Sequence, residues 1–137
     1  MTRRHRAREV ALQILYQADL HPQLDRQRVQ QFLWRRLRQE DLIAFAEQLY
    51  QGTLTHRPEI DAHLGRIAEN WRIERMNAVD RNILRLGAYE LLFCPDTPTR
   101  VIIDEAIELA KRYGTSDSSA FVNAILDRLA QTCRQGQ

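Results

Sequence analysis

Apolar residues recur at steps of three and four along almost the whole chain, and no segment alternates apolar with polar residues. A chain patterned this way can bury its hydrophobic surface only by packing helix on helix. In the first segment Ala7, Val10, Ala11, Ile14, Leu15 and Ala18 form one stripe, with Thr2 placed to cap it. After His21-Pro22 a shorter, arginine-rich segment carries Val29, Phe32, Leu33 and Leu37, and a third carries Leu42, Phe45, Ala46, Leu49 and Tyr50 up to Gly52. Pro58 suits a first helical turn, with Thr55 ahead of it as a cap, and opens a segment bearing Ile60, Leu64, Ile67, Ala68 and Trp71. A fifth runs from about Met76 to Phe93 and is stopped by Pro95. Its apolar residues lie on nearly all sides and leave Asn77, Arg81 and Arg85 as a polar strip, which predicts the central helix. The sixth spans roughly Val101 to Tyr113 and ends at Gly114; the seventh, capped by Ser116 or Asp117, buries Phe121, Val122, Ile125, Leu126 and Leu129. The expectation is an all-α fold of about seven helices, with residues 1–137 as a single domain.

With 137 residues, 44% of them hydrophobic, the chain has enough apolar material for a core of ordinary size and is not a disordered chain. No stretch approaches the roughly 18 apolar residues of a membrane span, and the basic opening is not followed by the apolar block of a signal peptide. A cytoplasmic protein without membrane attachment is expected. Cys94 and Cys133 are too few for a disulfide scaffold and too isolated for a zinc site. The sequence contains no glycine-rich phosphate loop, HExxH or nucleophile elbow, and no two of His5, His21, His56 and His63 share a helix face three or four residues apart. The cluster Asp104, Glu105 and Glu108 reads as a solvated helix face, with Glu108 supported by Arg112. Neither an enzyme nor a cofactor is expected.

Charge is unevenly distributed. From Met1 to Arg38 nine arginines face only Glu9, Asp19 and Asp25, a net of +6, whereas the remainder carries a net of −4. One end of the molecule therefore suits a polyanion. Arg3, Arg4, Arg6 and Arg8 all precede the first acidic residue, and such a cluster attracts nucleic-acid phosphate. At about 100° per residue, Tyr16 falls opposite the buried stripe, near Leu12 and His5. An exposed tyrosine flanked by arginines suits unpaired bases of single-stranded RNA; the alternative is that Leu12 and Tyr16 pack on another helix and the arginines are a solvated terminus. The arginines of the second segment, Arg26, Arg28, Arg35, Arg36 and Arg38, either extend this basic surface or are simply solvated.

Several motifs carry a family resemblance. Arg6-Ala7-Arg8-Glu9 leading into Leu15-Tyr16, Val79-Asp80 with Leu84-Arg85 and Tyr89-Glu90-Leu91, the run Ile103 to Lys111, and Phe121-Val122-Asn123 with Leu126-Asp127 together resemble the NusB family of transcription antitermination factors across essentially the whole chain. The resemblance implies an all-helical pair of packed bundles. It also implies binding to the boxA element of ribosomal RNA leader transcripts with the ribosomal protein NusE, in a complex that joins other Nus factors on RNA polymerase and suppresses premature termination. It implies no catalysis. Arg4, Arg6 and Arg8 match the family's arginine-rich start, Arg3 extends it, and His5 stands where many relatives have arginine. Tyr16 matches an exposed tyrosine, Asp117 and Phe121 a pair at the RNA and partner surface, and Asp80 a partner-binding acidic position that is often glutamate. Ala120 replaces a lysine of some relatives. The nearest different module, fused ahead of an RNA methyltransferase domain, is not expected, since the chain ends about 20 residues after Asp117. A helical protein-protein adaptor without RNA binding is the alternative function, and both monomers and homodimers are compatible with the resemblance.

Overall fold

The computed structural model describes residues 2–68 and 72–134. Seven α-helices follow in order: α1 His5–Leu20, α2 Arg26–Leu37, α3 Glu40–Thr55, α4 Arg57–Ile67, α5 Ala78–Phe93, α6 Thr99–Tyr113 and α7 Ser118–Cys133, with a single 3-10 turn, Ile73–Arg75, before α5. The all-α expectation is borne out, and the described residues contain no strand. Among them no helix is long and apolar enough to cross a membrane. Trp71, assigned from sequence to the fourth helix, lies outside the described residues.

α5 is the central helix, as its all-round apolar pattern predicts. It packs against α1 and α3 on one side and against α4, α6 and α7 on the other, so the two bundles share it. Ile83, Leu84, Leu86 and Ala88 on this helix are all but fully enclosed. Close approach requires a glycine at one crossing. Tyr89 of α5 lies against the backbone of Gly52 in α3, where an added Cβ would sit 2.2 Å from Tyr89 Cζ. The same ring is 5.7 Å from Phe93, which in turn stacks at 4.0 Å on His56.

The helix ends depart from the sequence reading in ways that have physical causes. Arg4, not Thr2, occupies the cap position of α1 and makes no side-chain capping bond, because the Thr2 hydroxyl is drawn 2.7 Å to Glu105 Oε1. Thr55 closes α3 and does not cap α4, whose cap is His56. Asn77 stands outside α5 as its cap, its Oδ1 accepting from the Asp80 amide at 2.8 Å. At α7 neither Ser116 nor Asp117 caps through its side chain; instead Ser118 Oγ accepts from the Thr115 amide at 2.9 Å.

Of the polar strip, Asn77 stays exposed while Arg81 and Arg85 face carboxylates of other helices. Arg81 donates to Asp19 Oδ2 at 2.6 and 2.8 Å, Asn82 to the same oxygen at 3.0 Å, and Arg85 to Asp61 at 2.8 and 2.9 Å. Asp19 thus ties the end of α1 to α5. Burial works to raise its pKa, but the bonds from Arg81 and Asn82 and the charges of Arg81 and Arg85 outweigh burial and hold it below the ordinary carboxylate value. A folded-state pKa depressed in this way contributes stability at pH values above the unfolded pKa, and the contribution is lost as pH falls through the folded one. Asp19→Asn should therefore lower the urea midpoint at neutral pH and flatten the loss of stability between about pH 5 and pH 2. An acid limb identical to that of the parent would show that Asp19 is not a group that drives it.

Candidate nucleic-acid interface

The N-terminal arginines do not form one uniform patch. Arg4 is exposed and its guanidinium lies 4.2 Å from the centre of the Phe45 ring on α3, a cation–π seat that leaves its hydrogen-bond donors turned to solvent. Arg3 is exposed and paired with Asp41, with a further bond to Gln39. Arg6 is half-buried and paired with Glu9. Arg8 differs from all three. Only 2% of it is exposed, and it donates to Glu90 through Nε at 3.0 and 3.2 Å and through Nη2 at 2.9 Å. Its position on the buried side of α1 places it among core neighbours, which corrects the expectation that all the early arginines lie at the surface.

α1 begins with no acidic residue in its first turn and no capping side chain. The positive end of the helix dipole and the arginine charges therefore coincide, which is unfavourable in isolation and is relieved by an anion. His5 pairs with Glu105, and Glu105 also lies 3.9 Å from Arg8. Glu105 is consequently a buried anchor for the start of α1, not part of a solvated face. Its neighbours Asp104 and Glu108 do remain at the surface, paired with Arg100 at 3.8 Å and Lys111 at 3.7 Å. Arg112 turns instead to Glu9, at 2.7 Å. Burial tends to raise the Glu9 pKa, but bonds from the Tyr113 hydroxyl and Arg6 and the charges of Arg6 and Arg112 hold it below its ordinary value.

Further along α1, Tyr16 is 37% exposed, in agreement with the wheel reading. It lines a groove of about 380 Å³ with Leu12, Phe32, Arg36, Val79 and Tyr113. Leu12, placed near Tyr16 by the wheel, is itself buried in the core, so of the two only Tyr16 is exposed. Tyr113 docks the end of α6 on α1, donating to Glu9 at 2.8 Å and accepting from Gln13 at 3.1 Å. The turn that follows carries Asp117, whose exposed carboxylate makes no hydrogen bond or ion pair among the described residues. Phe121 lies one turn later, half-buried against the core. Asp80 is placed differently. It is enclosed at the start of α5, its Oδ2 accepting from Asn77 at 3.1 Å while Oδ1 has no hydrogen-bond partner. Phe45, which supports Arg4, was read from sequence as core alone; an aromatic at a buried stripe position gives no sign of which cation lies over it.

A protein-family model described as the NusB family matches residues 5–131. The chain is 44% identical over 131 residues to the transcription antitermination protein NusB of Desulfitobacterium hafniense, covering 94% of this chain and 88% of that protein. Its fold is similar to solved T. maritima NusB, with TM-score 0.84, 41% identity and coverage of 95% and 92%. It is also similar to a chain in a crystal structure of the antitermination factors NusB and NusE in complex with double-stranded RNA, with TM-score 0.85, 26% identity and coverage of 96% and 99%.

Burial separates Arg8 from its neighbours experimentally. Arg8→Ala leaves Glu90 buried without its cation and should destabilise the fold by about 3–5 kcal/mol. Arg4→Ala and Arg6→Ala together remove only surface interactions, because Glu9 keeps Tyr113 and Arg112, and should cost less than about 1 kcal/mol. Urea unfolding with an unchanged m-value reads both. Equal losses for Arg8→Ala and for the Arg4/Arg6 pair would contradict this division.

Proposed function

The chain belongs to the NusB family, and on that premise we propose that it binds boxA-type single-stranded RNA of ribosomal RNA leader transcripts together with NusE, so that RNA polymerase reads past sites of premature termination. The family is a non-enzymatic, RNA-binding one that acts in transcription antitermination. The observation that carries the finer reading is Arg4. It is an exposed guanidinium held on Phe45 at a helix start with no side-chain cap and no acidic residue in its own first turn, with the exposed Tyr16 on the same helix. Arg4 and the carboxylate-paired Arg3 and Arg6 supply phosphate contacts, and Tyr16 supplies a stacking face. Arg8 acts by fixing α1 to α5. Asp117 and Phe121 border the RNA at the α6–α7 turn.

NusE is the proposed protein partner. Its contact near Asp80 runs through the groove wall at Val79, since the Asp80 carboxylate is enclosed. The acidic remainder of the chain repels a long RNA, so a basic partner docked against it extends the positive track. Further Nus factors and RNA polymerase complete the assembly, and a homodimer using the same groove is the competing state.

Fluorescence-anisotropy titration of a boxA-type RNA across a salt series, with and without NusE, tests the reading. At about 0.7 per phosphate contact on single strands, replacing Arg4 and Arg6 by Ala should flatten the log–log salt slope by about 1.4. NusE should tighten RNA binding, and linkage requires RNA to tighten NusE by the same factor. An unchanged slope, or identical RNA affinity with and without NusE, rejects the proposal; binding confined to a duplex of the same sequence rejects the single-stranded preference.

Asp117→Asn removes a negative charge beside the RNA path without removing a capping bond, because the Asp117 side chain makes none. RNA should bind as tightly or more tightly, with unchanged helix content by circular dichroism. Weaker binding on an intact fold would mean that the carboxylate accepts hydrogen bonds from bases.

A further inference from the structure

The outer face of α2 is rich in arginine and glutamine. The helix reads Arg-Gln-Arg-Val-Gln-Gln-Phe-Leu-Trp-Arg-Arg-Leu, with no acidic residue, and Arg38 follows it directly. Val29, Leu33 and Leu37 turn inward, leaving arginines and glutamines outside around Trp34, which is 57% exposed. Asp25 is used as the helix cap, accepting from the Gln27 amide at 3.0 Å, Asp41 beyond the other end is taken by Arg3, and Glu47 of α3 shares a pocket with Arg26. Exposed cations of α6 are paired, Arg100 with Asp104 and Lys111 with Glu108. By contrast, Arg26, Arg28, Arg35 and Arg38 make no ion pair among the described residues.

This face is continuous with the α1 site at two points. Arg3 is bonded to Gln39 and paired with Asp41, which brings the start of α1 beside the end of α2 where Arg38 stands. Arg36, over the Phe32 ring at 4.6 Å, lines the same groove as Tyr16. Both points lie at the C-terminal end of α2, and from there the helix runs back about 18 Å to Arg26, at about 1.5 Å per residue. Arg38 also holds a left-handed backbone, φ 60°, a conformation that glycine adopts without strain. The arginine that stands there instead places one more charge at the junction.

We propose that the outer face of α2 is a second single-stranded RNA track, on which Trp34 stacks against a base while Arg28, Arg35 and Arg38 neutralise phosphates. It lengthens the RNA engaged at α1, and so rests on the RNA-binding reading above. A single aromatic among unpaired cations and amide side chains suits a polyanion with stacking faces. A protein-docking face would instead present contiguous apolar area, which α2 lacks on this side.

The test compares a short boxA-type RNA with the same RNA extended by about six nucleotides on either side, a length within the range of single-stranded binding sites. Each is titrated against the parent chain, Trp34→Ala, and the double variant Arg28→Gln with Arg35→Gln. All three replaced side chains are exposed, so the fold is retained, which circular dichroism and unfolding midpoints verify. The parent should bind one of the extended RNAs about tenfold more tightly than the short one. Both variants should lose that gain while binding the short RNA as before. The salt slope of the extended RNA should flatten by about 1.4 in the double variant, and that of the short RNA should not change. If the short RNA binds and depends on Arg4 but extension adds nothing, or if the gain survives in both variants, the α2 track is overturned and the α1 site stands. Variants that loosen self-association or NusE binding while leaving both RNAs unaffected mark α2 as a protein-facing surface and overturn it equally. Failure of the parent to bind any of the RNAs overturns both readings.

Discussion

Arg8 and Glu90 meet in the interior, and the remaining surface geometry depends on that meeting. A guanidinium and a carboxylate taken out of water lose several kcal/mol of hydration each, and only close, multiple hydrogen bonds compensate. The three short contacts between them therefore permit little variation in how α1 lies across α5. Glu105 sits at the edge of the same cluster and holds Thr2 and His5, so the first turn of α1 is fixed from two sides. The far end of α5 is treated alike. Its last carbonyls, those of Glu90, Leu91 and Cys94, accept from Arg134 at 2.7 to 2.9 Å, so one guanidinium gathers the carbonyls of the helix end.

With α1 held in this way, its exposed side is a fixed display. Arg4 rests on Phe45, and Tyr16 stands three turns away beside the groove shared with α2 and α5. A rigid helix bearing a cation at one end and a stacking surface further along loses little conformational entropy on meeting a single strand. The pairing of Arg3 and Arg6 with carboxylates grades the cluster. Arg4 is free for phosphate at once, whereas the others must exchange a protein partner for a nucleic-acid one.

The charge asymmetry acquires meaning from this arrangement. Nine arginines in the first 38 residues are split by the fold into one structural residue, a cluster at the head of α1 and a row along α2. Some of the acidic residues are used internally: Asp61, Glu90 and Glu105 each face an arginine, as Glu9 and Asp19 do within the first 38 residues. Glu40, Glu59, Glu74, Asp96, Asp117 and Asp127 stay exposed, so the chain beyond residue 38 keeps an anionic surface.

The helix class, the order of the segments and the centrality of α5 were legible in the sequence because apolar spacing reports burial directly, one residue at a time. The basic start and the exposure of Tyr16 were legible for the same reason, since a helical wheel needs only spacing. What spacing cannot report is the chemistry of a contact between distant segments. Arg8 and Arg4 have the same side chain and stand one turn apart, yet one is a core residue and the other a surface cation, because Glu90, 82 positions away, lies under only one of them. Asn77, Arg81 and Arg85 read as a polar strip with no partner named; only the packing of α1 and α4 onto α5 brought Asp19 within reach of Arg81 and Asp61 within reach of Arg85. Helix ends were misplaced by a residue or more where a hydroxyl such as that of Thr2 found a tertiary acceptor in place of its own backbone. Local pattern thus determined which segments are helices and which face of each is apolar. Tertiary structure alone decided which charges are paired in the interior and which are left at the surface for RNA, because ion pairing depends on distance in space and not on position along the chain.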